Sequence, residues 1–163
     1  MRVERWMSSP AITITPEIPA SLALRKMMEY EIRRMPVVDE DGQLLGLVTD
    51  RDLRGVLLPY ALPHPSRAYE PAPDDPLVRD VMRKAVAVVT PRDTVRDVAR
   101  LMHDLKVTGL PVVEGRRCVG VITVQDLLEV LVAALDVHLN EVNEEILSRS
   151  PAAPPAANPE PEG

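Results

Sequence analysis

Two short patterns in this chain have residue types and a spacing suited to recognition chemistry, Thr49-x-x-Asp52 and Thr123-x-x-Asp126. A carboxylate accepts two hydrogen bonds from a vicinal diol such as a ribose presents, while a threonine hydroxyl and the unpaired N–H groups of a helix start suit a phosphate. Each pattern falls where a β run gives way to a helical run, so hydroxyl and carboxylate share one helix N-terminus. The same spacing also describes a capping arrangement, in which the threonine caps and the carboxylate three residues on reaches back to the backbone. Taken alone the motif favours the cap, and both readings stay open at this level.

Little else in the sequence points to chemistry. There is no Gly-x-x-x-x-Gly-Lys-Ser/Thr loop, no Gly-x-Ser-x-Gly elbow, no His-Glu-x-x-His and no Gly-x-Gly-x-x-Gly, so nothing argues for an enzyme. His64, His103 and His138 lack metal-ligand spacing, and the acidic groups Asp74-Asp75 and Glu141, Glu144, Glu145 read as solvated charge. The single cysteine, Cys118, excludes an internal disulfide, and its neighbours Val119 and Val121 suggest strand packing.

Composition narrows the class further. A chain of 163 residues is one domain's worth and can bury a core without disulfide or metal. Hydrophobic residues make up 45% but aromatics only 2%, with no Phe, so the core must be packed from Val, Leu, Ile, Met and Ala, as aliphatic α/β layers are. A formal charge of −6 argues against nucleic acid as partner, since that affinity comes largely from phosphate neutralisation. No apolar run approaches the length of a membrane span and no export signal opens the chain, which points to a cytoplasmic protein with no membrane partner.

The elements that must position the two junctions are written twice. Met7 matches Met82, Thr15-Pro16 matches Thr90-Pro91, Met27 matches Met102, and Met35-Pro36-Val37-Val38 matches Leu110-Pro111-Val112-Val113, all at an offset of 75 residues. After a one-residue deletion at the turn, Gly46 to Asp52 matches Gly120 to Asp126. Each copy predicts a short strand (11–15; 86–90) closed by Thr-Pro, an amphipathic helix, a hairpin (35–39 with 44–49; 110–114 with 118–123) and a second helix (50–58; from about 124). Pro19 suits an N1 position of the first helix, and Asp93 or Thr94 can cap its counterpart. The order is β-α-β-β-α, and the fold class is α/β (α+β).

At these landmarks the chain resembles the cystathionine-β-synthase domain (CBS domain) family in its tandem form, the Bateman module. The motifs that carry the resemblance are Trp6-Met7 and Val81-Met82, the Thr-Pro strand ends, Met-Pro-Val-Val-Asp and Leu-Pro-Val-Val-Glu, and the Gly-x-x-Thr-x-x-Asp closes. The resemblance implies two units packed pseudo-symmetrically through their sheets, with two related clefts that sense AMP, ADP or ATP, less often S-adenosylmethionine or NAD, in a regulatory role. It further implies that the cleft of Thr49 and Asp52 receives Arg33, Arg34 and the backbone of Lys84 and Ala85. The second cleft then holds Thr123 and Asp126 with Thr108 and Gly109 in place of the two arginines, Arg33 reaching it across the pair, and Pro10 and Ala11 approaching from the first copy. On that basis the first cleft suits a charged nucleotide. The second suits an uncharged adenosine moiety, or stays empty.

The expected organisation is a first repeat at 1–58, a Pro-rich linker at 59–76, a second repeat at 77–133, a helical extension at 134–150 and a disordered tail at 151–163. Along the last helix Leu128, Leu131, Leu135, Leu139, Val142 and Ile146 step by three or four, beyond the end of the repeat. That stripe predicts burial against a second copy in a twofold homodimer. The alternative is an interaction scaffold that binds no ligand. Either way, an effector protein of unknown identity must carry the output.

Overall fold

Turn residues write the ends of the elements. The computed structural model describes residues 1–57 and 74–149; the rest of the expected linker, the end of the second helix at residue 58, and the tail 151–163 lie outside the described residues. In the first copy α1 (Ala20–Glu29) follows Pro19, which holds the N-cap with φ −59°, one position before the expected place. Strands β1 (Arg34–Val38) and β2 (Leu44–Thr49) follow, then α2 (Asp50–Leu57). The second copy has a short α3 (Val78–Val81), then α4 (Val95–Leu105), β3 (Gly109–Glu114), β4 (Arg117–Thr123) and α5 (Val124–Arg149).

Each hairpin is its own antiparallel two-stranded sheet, with Met35 opposite Val48 and Leu110 opposite Ile122. The tight turns need left-handed backbone at Gly42 (φ 77°) and Gly115 (φ 62°), which glycine adopts without a Cβ clash. Asp39 holds the first turn by accepting from the N–H groups of Asp41 and Gln43. The expected opening strands are reduced to one parallel bridge each, Ile14 to Val37 and Val89 to Val112. Pro16 and Pro91 lie just beyond, and proline cannot continue a ladder as a donor.

The two copies exchange their leading segments. Val3 is fully buried in the second copy's core with Val98, Met102, Leu110 and Ile122, whereas Val78 is fully buried in the first copy's core with Leu24, Met27, Met35 and Val48. Backbone bonds match this reciprocity: the Ala20 N–H donates to Pro76 and the Val95 N–H to Met1, the Val78 N–H to Ile18 and the Val3 N–H to Asp93. Full burial of a valine contributes about 1.5–3 kcal/mol, so each exchange is a substantial part of its core.

Further along, the crossing segments run onto the hairpins. Arg83 and Leu47 exchange both backbone hydrogen bonds, at 2.9 and 3.0 Å, and Ser8 and Val121 do the same at 3.0 and 2.9 Å. Gly46 and Gly120 permit the approach, because a Cβ there would lie 2.6 Å from the Arg83 carbonyl oxygen and 2.8 Å from that of Ser8. The hairpin tips also meet, with the Leu44 N–H donating to Arg116 and the Cys118 N–H to Gly42. Residues 1–128 thus make one compact unit among the described residues, and α5 from Glu129 onward belongs to a second.

Candidate functional site

Both Thr-x-x-Asp patterns stand where a strand ends and a helix begins, Thr49 closing β2 before α2 and Thr123 closing β4 before α5. The Thr49 hydroxyl donates to Asp52 Oδ2 at 2.6 Å, and the Asp52 N–H donates back to Thr49 Oγ1 at 3.2 Å. Asp126 Oδ2 accepts from both the N–H and the hydroxyl of Thr123, at 2.6 and 2.8 Å. These are capping contacts, and a third Thr-x-x-Asp, Thr94 to Asp97 at the start of α4, makes the same hydroxyl-to-Oδ2 bond at 2.6 Å at an exposed helix start. Capping therefore uses Oδ2 and leaves Oδ1 for other work.

What meets Oδ1 differs between the copies. Arg83 Nη2 donates to Asp52 Oδ1 at 3.0 Å, reaching in from the crossing segment. Asp126 Oδ1 has no partner among the described residues, and the residue that corresponds to Arg83 on its crossing segment is Ser8. Burial works to raise the Asp52 carboxyl, but hydrogen bonds from Thr49 and Arg83 and the Arg83 charge outweigh it and hold the group below its ordinary value.

The arginines expected beside Asp52 divide. The Arg33 carbonyl accepts from the Asp50 N–H at 2.9 Å, which fixes its backbone at the first junction, with its side chain exposed. The Arg34 backbone pairs opposite Thr49, but its side chain crosses to the other copy, donating from Nη1 to the Gly109 carbonyl at 3.2 Å and from Nη2 to the Thr108 hydroxyl. Burial lowers the Arg34 guanidinium from its usual value. Gly109 makes the room, since a Cβ there would lie 2.8 Å from Arg34 Nη1. Thr108 and Gly109 adjoin the second junction: the Val124 N–H donates to the Thr108 carbonyl, and Gly109 pairs opposite Thr123. It is Arg34, not Arg33, whose contact reaches across.

Lys84 and Ala85 directly follow Arg83 at the first junction and are exposed. Pro10 and Ala11 follow Ser9, whose hydroxyl donates to the Val119 carbonyl at 2.9 Å, on the second copy's hairpin. Sequence reasoning missed Arg83. The signal was present, because the 75-residue offset sets Arg83 on Ser8 directly after the paired methionines, but an exposed arginine carries no mark of its partner. Cys118 is half-buried, its thiol raised by burial, and its hydrogen bond to the Gly120 carbonyl fits strand packing. Among the described residues no group of His, Cys, Asp and Glu is arranged to hold a metal, and no helix is long and apolar enough to cross a membrane.

Comparison with known proteins matches this architecture. The CBS domain family model matches residues 3–59 and 78–133. A CBS domain-containing protein of Dictyostelium discoideum is 33% identical over 135 residues, covering 82% of this chain and 93% of its own length. Other curated relatives are longer, and the chain spans 21% to 66% of their length. Among solved structures, a CBS domain pair in complex with 5'-methylthioadenosine and S-adenosyl-L-methionine superposes with a TM-score of 0.69 at 25% identity, covering 82% of this chain and 98% of that one. The cytosolic domain of the Mg2+ channel MgtE in complex with ATP superposes with a TM-score of 0.60 at 30% identity, covering 77% of this chain and 46% of that one.

Proposed function

This chain belongs to the CBS domain family, carrying two copies in tandem, and from that premise we propose that it is a regulatory, non-catalytic module that binds an adenosine-type ligand at its two strand-to-helix junctions and passes the signal to another protein chain. The observation that carries this reading is the convergence, at each junction, of a carboxylate, a threonine hydroxyl, a helix start, a crossing backbone segment and a guanidinium, Arg83 in one and Arg34 in the other. Asp52 and Asp126 take the ribose diol, and Thr49, Thr123, Thr108 and the arginines face the phosphates. Arg33, Lys84, Ala85, Gly109, Pro10 and Ala11 line the approaches. Two similar structures that hold adenosine compounds add support.

Titration calorimetry of the purified chain against AMP, ADP, ATP, S-adenosylmethionine and NAD tests the reading, with saturable binding of at least one expected. Asp52→Asn and Asp126→Asn each weaken binding at their own junction by about ten- to a hundredfold, the equivalent of roughly 1.5–3 kcal/mol for a hydrogen bond to a charged group. A flat titration for all five transfers the assignment to a ligand-free scaffold.

That second reading has its own motive, an apolar face on α5. Leu128, Leu131, Val132 and Leu135 are each more than half exposed. Covering that face with the same stripe of a second copy makes a twofold homodimer, a role compatible with ligand sensing. The same stretch of helix carries the exposed carboxylates Glu129 and Asp136, so pairing is expected to strengthen with salt.

A further inference from the structure

Asp52 and Asp126 occupy corresponding places in the two copies and make the same capping bond through Oδ2, yet their outward oxygens differ. Asp52 Oδ1 is held by Arg83, while Asp126 Oδ1 has no partner among the described residues. We propose that Arg83 sets the ligand preference of the Asp52 cleft: by competing for the carboxylate oxygen a ribose diol uses, and giving it up most readily to an anion, it biases that cleft toward phosphate-bearing adenosine compounds, whereas the Asp126 cleft, with Ser8 in its place, takes uncharged ones comparably. The proposal rests on the ribose-binding reading above and adds a selectivity to it.

The argument is one of exchange. An uncharged nucleoside entering the first cleft competes with Arg83, paired to Oδ1 at 3.0 Å, for that oxygen, and it offers a displaced guanidinium nothing in return. A phosphate offers a charge-assisted, often bidentate partner, so the guanidinium moves from one anion to another and the diol takes its place on Asp52. Arg83 is free enough for this role. Its side chain is 69% exposed, whereas that of Asp52 is 17% exposed, so the arginine can swing while the carboxylate stays fixed by Thr49. Its backbone remains anchored by the two bonds to Leu47, which keep the guanidinium within reach after it lets go. In the second cleft the corresponding segment is anchored identically to Val121, but Ser8 is too short to reach a phosphate or block the carboxylate. An exposed ion pair of this kind resists an uncharged competitor about three- to fivefold, and a phosphate contact adds about tenfold or more to the bound anion.

The test isolates each cleft in the full chain and measures AMP against adenosine by calorimetry. In an Asp126→Ala background AMP is expected to bind at least about tenfold tighter than adenosine. Adding Arg83→Ser brings the ratio within about threefold, by weakening AMP and strengthening adenosine, and Arg83→Lys retains the preference. Conversely, Ser8→Arg in an Asp52→Ala background raises the AMP preference of the other cleft, and this gain carries the test if Arg83→Ser lowers the melting temperature. An unchanged ratio in both Arg83→Ser and Ser8→Arg overturns the selectivity role while leaving nucleotide sensing in place. A wild-type chain that binds neither compound, or an Asp52→Ala/Asp126→Ala chain that binds both as well as wild type, removes the ribose-binding reading and this proposal with it.

Discussion

Val3 and Val78, 75 residues apart in the chain, are each fully buried in the core of the copy that follows or precedes their own. Separating the copies therefore strips each core of a residue and leaves a valine with nothing to cover it. Residues 1–57 expressed alone are expected to show neither a cooperative melt nor dispersed amide resonances, and Val78→Ala in the full chain to cost about 2 kcal/mol. A sharp monomeric transition from the isolated first copy would refute the shared core.

Three glycines separate backbone crowding from backbone freedom. Gly46→Ala and Gly120→Ala push a Cβ to 2.6 and 2.8 Å from carbonyl oxygens that are themselves tied into the crossing pairs, so each is expected to destabilise by about 1–3 kcal/mol. Gly55 lies inside α2 with open space around it, and Gly55→Ala is expected to stabilise by about 0.5–1 kcal/mol. Denaturant midpoints on the three variants check both signs; a Gly46→Ala chain as stable as Gly55→Ala contradicts the close approach.

Asp52 confers an acid-side dependence. Although burial works to raise its carboxyl, the bonds from Thr49 and Arg83 hold the folded value below the ordinary one, so the fold favours the ionised form. The contribution is present above the unfolded value, near 4, and disappears as the pH falls through the lower folded value. Because Arg83 is largely exposed, it amounts to less than about 1 kcal/mol at neutral pH. Wild type and Asp52→Asn should differ most above about pH 5, where the carboxyl is ionised in both folded and unfolded chains, and converge as the pH falls through the lowered folded value. Melting curves that stay parallel throughout would show that the pair contributes nothing.

Truncation separates pairing from ligand binding. Ending the chain at Leu135 removes the later part of the apolar stripe but leaves both Thr-x-x-Asp junctions intact. The dimer mass measured by light scattering is expected to fall toward that of the monomer, with AMP or ATP affinity within about threefold of the full chain. An unchanged dimer mass would assign the pairing to some other surface.

Local signals in the residues alone determined the repeat, the hairpins and the position of the junctions. Strand β2 ends at Thr49 as the pattern requires, and α4 starts from the Thr94 cap, because alternation, turn glycines and capping residues act within a few positions of themselves. The opening strands shrank to single bridges because their neighbours in space, not their own propensity, decide how many ladder bonds form. Only the tertiary structure decided which guanidinium meets which carboxylate. Arg83 reaches Asp52 from 31 residues away because the exchanged segment brings the start of the second copy onto the first hairpin, and Arg34 turns from its own junction to Thr108, 74 residues on, across the contact between the two hairpins. A long, flexible arginine can point to either side of the strand that carries it, and its direction is settled by the space and the acceptors the other copy supplies, such as the Gly109 gap and the unshared oxygen of Asp52.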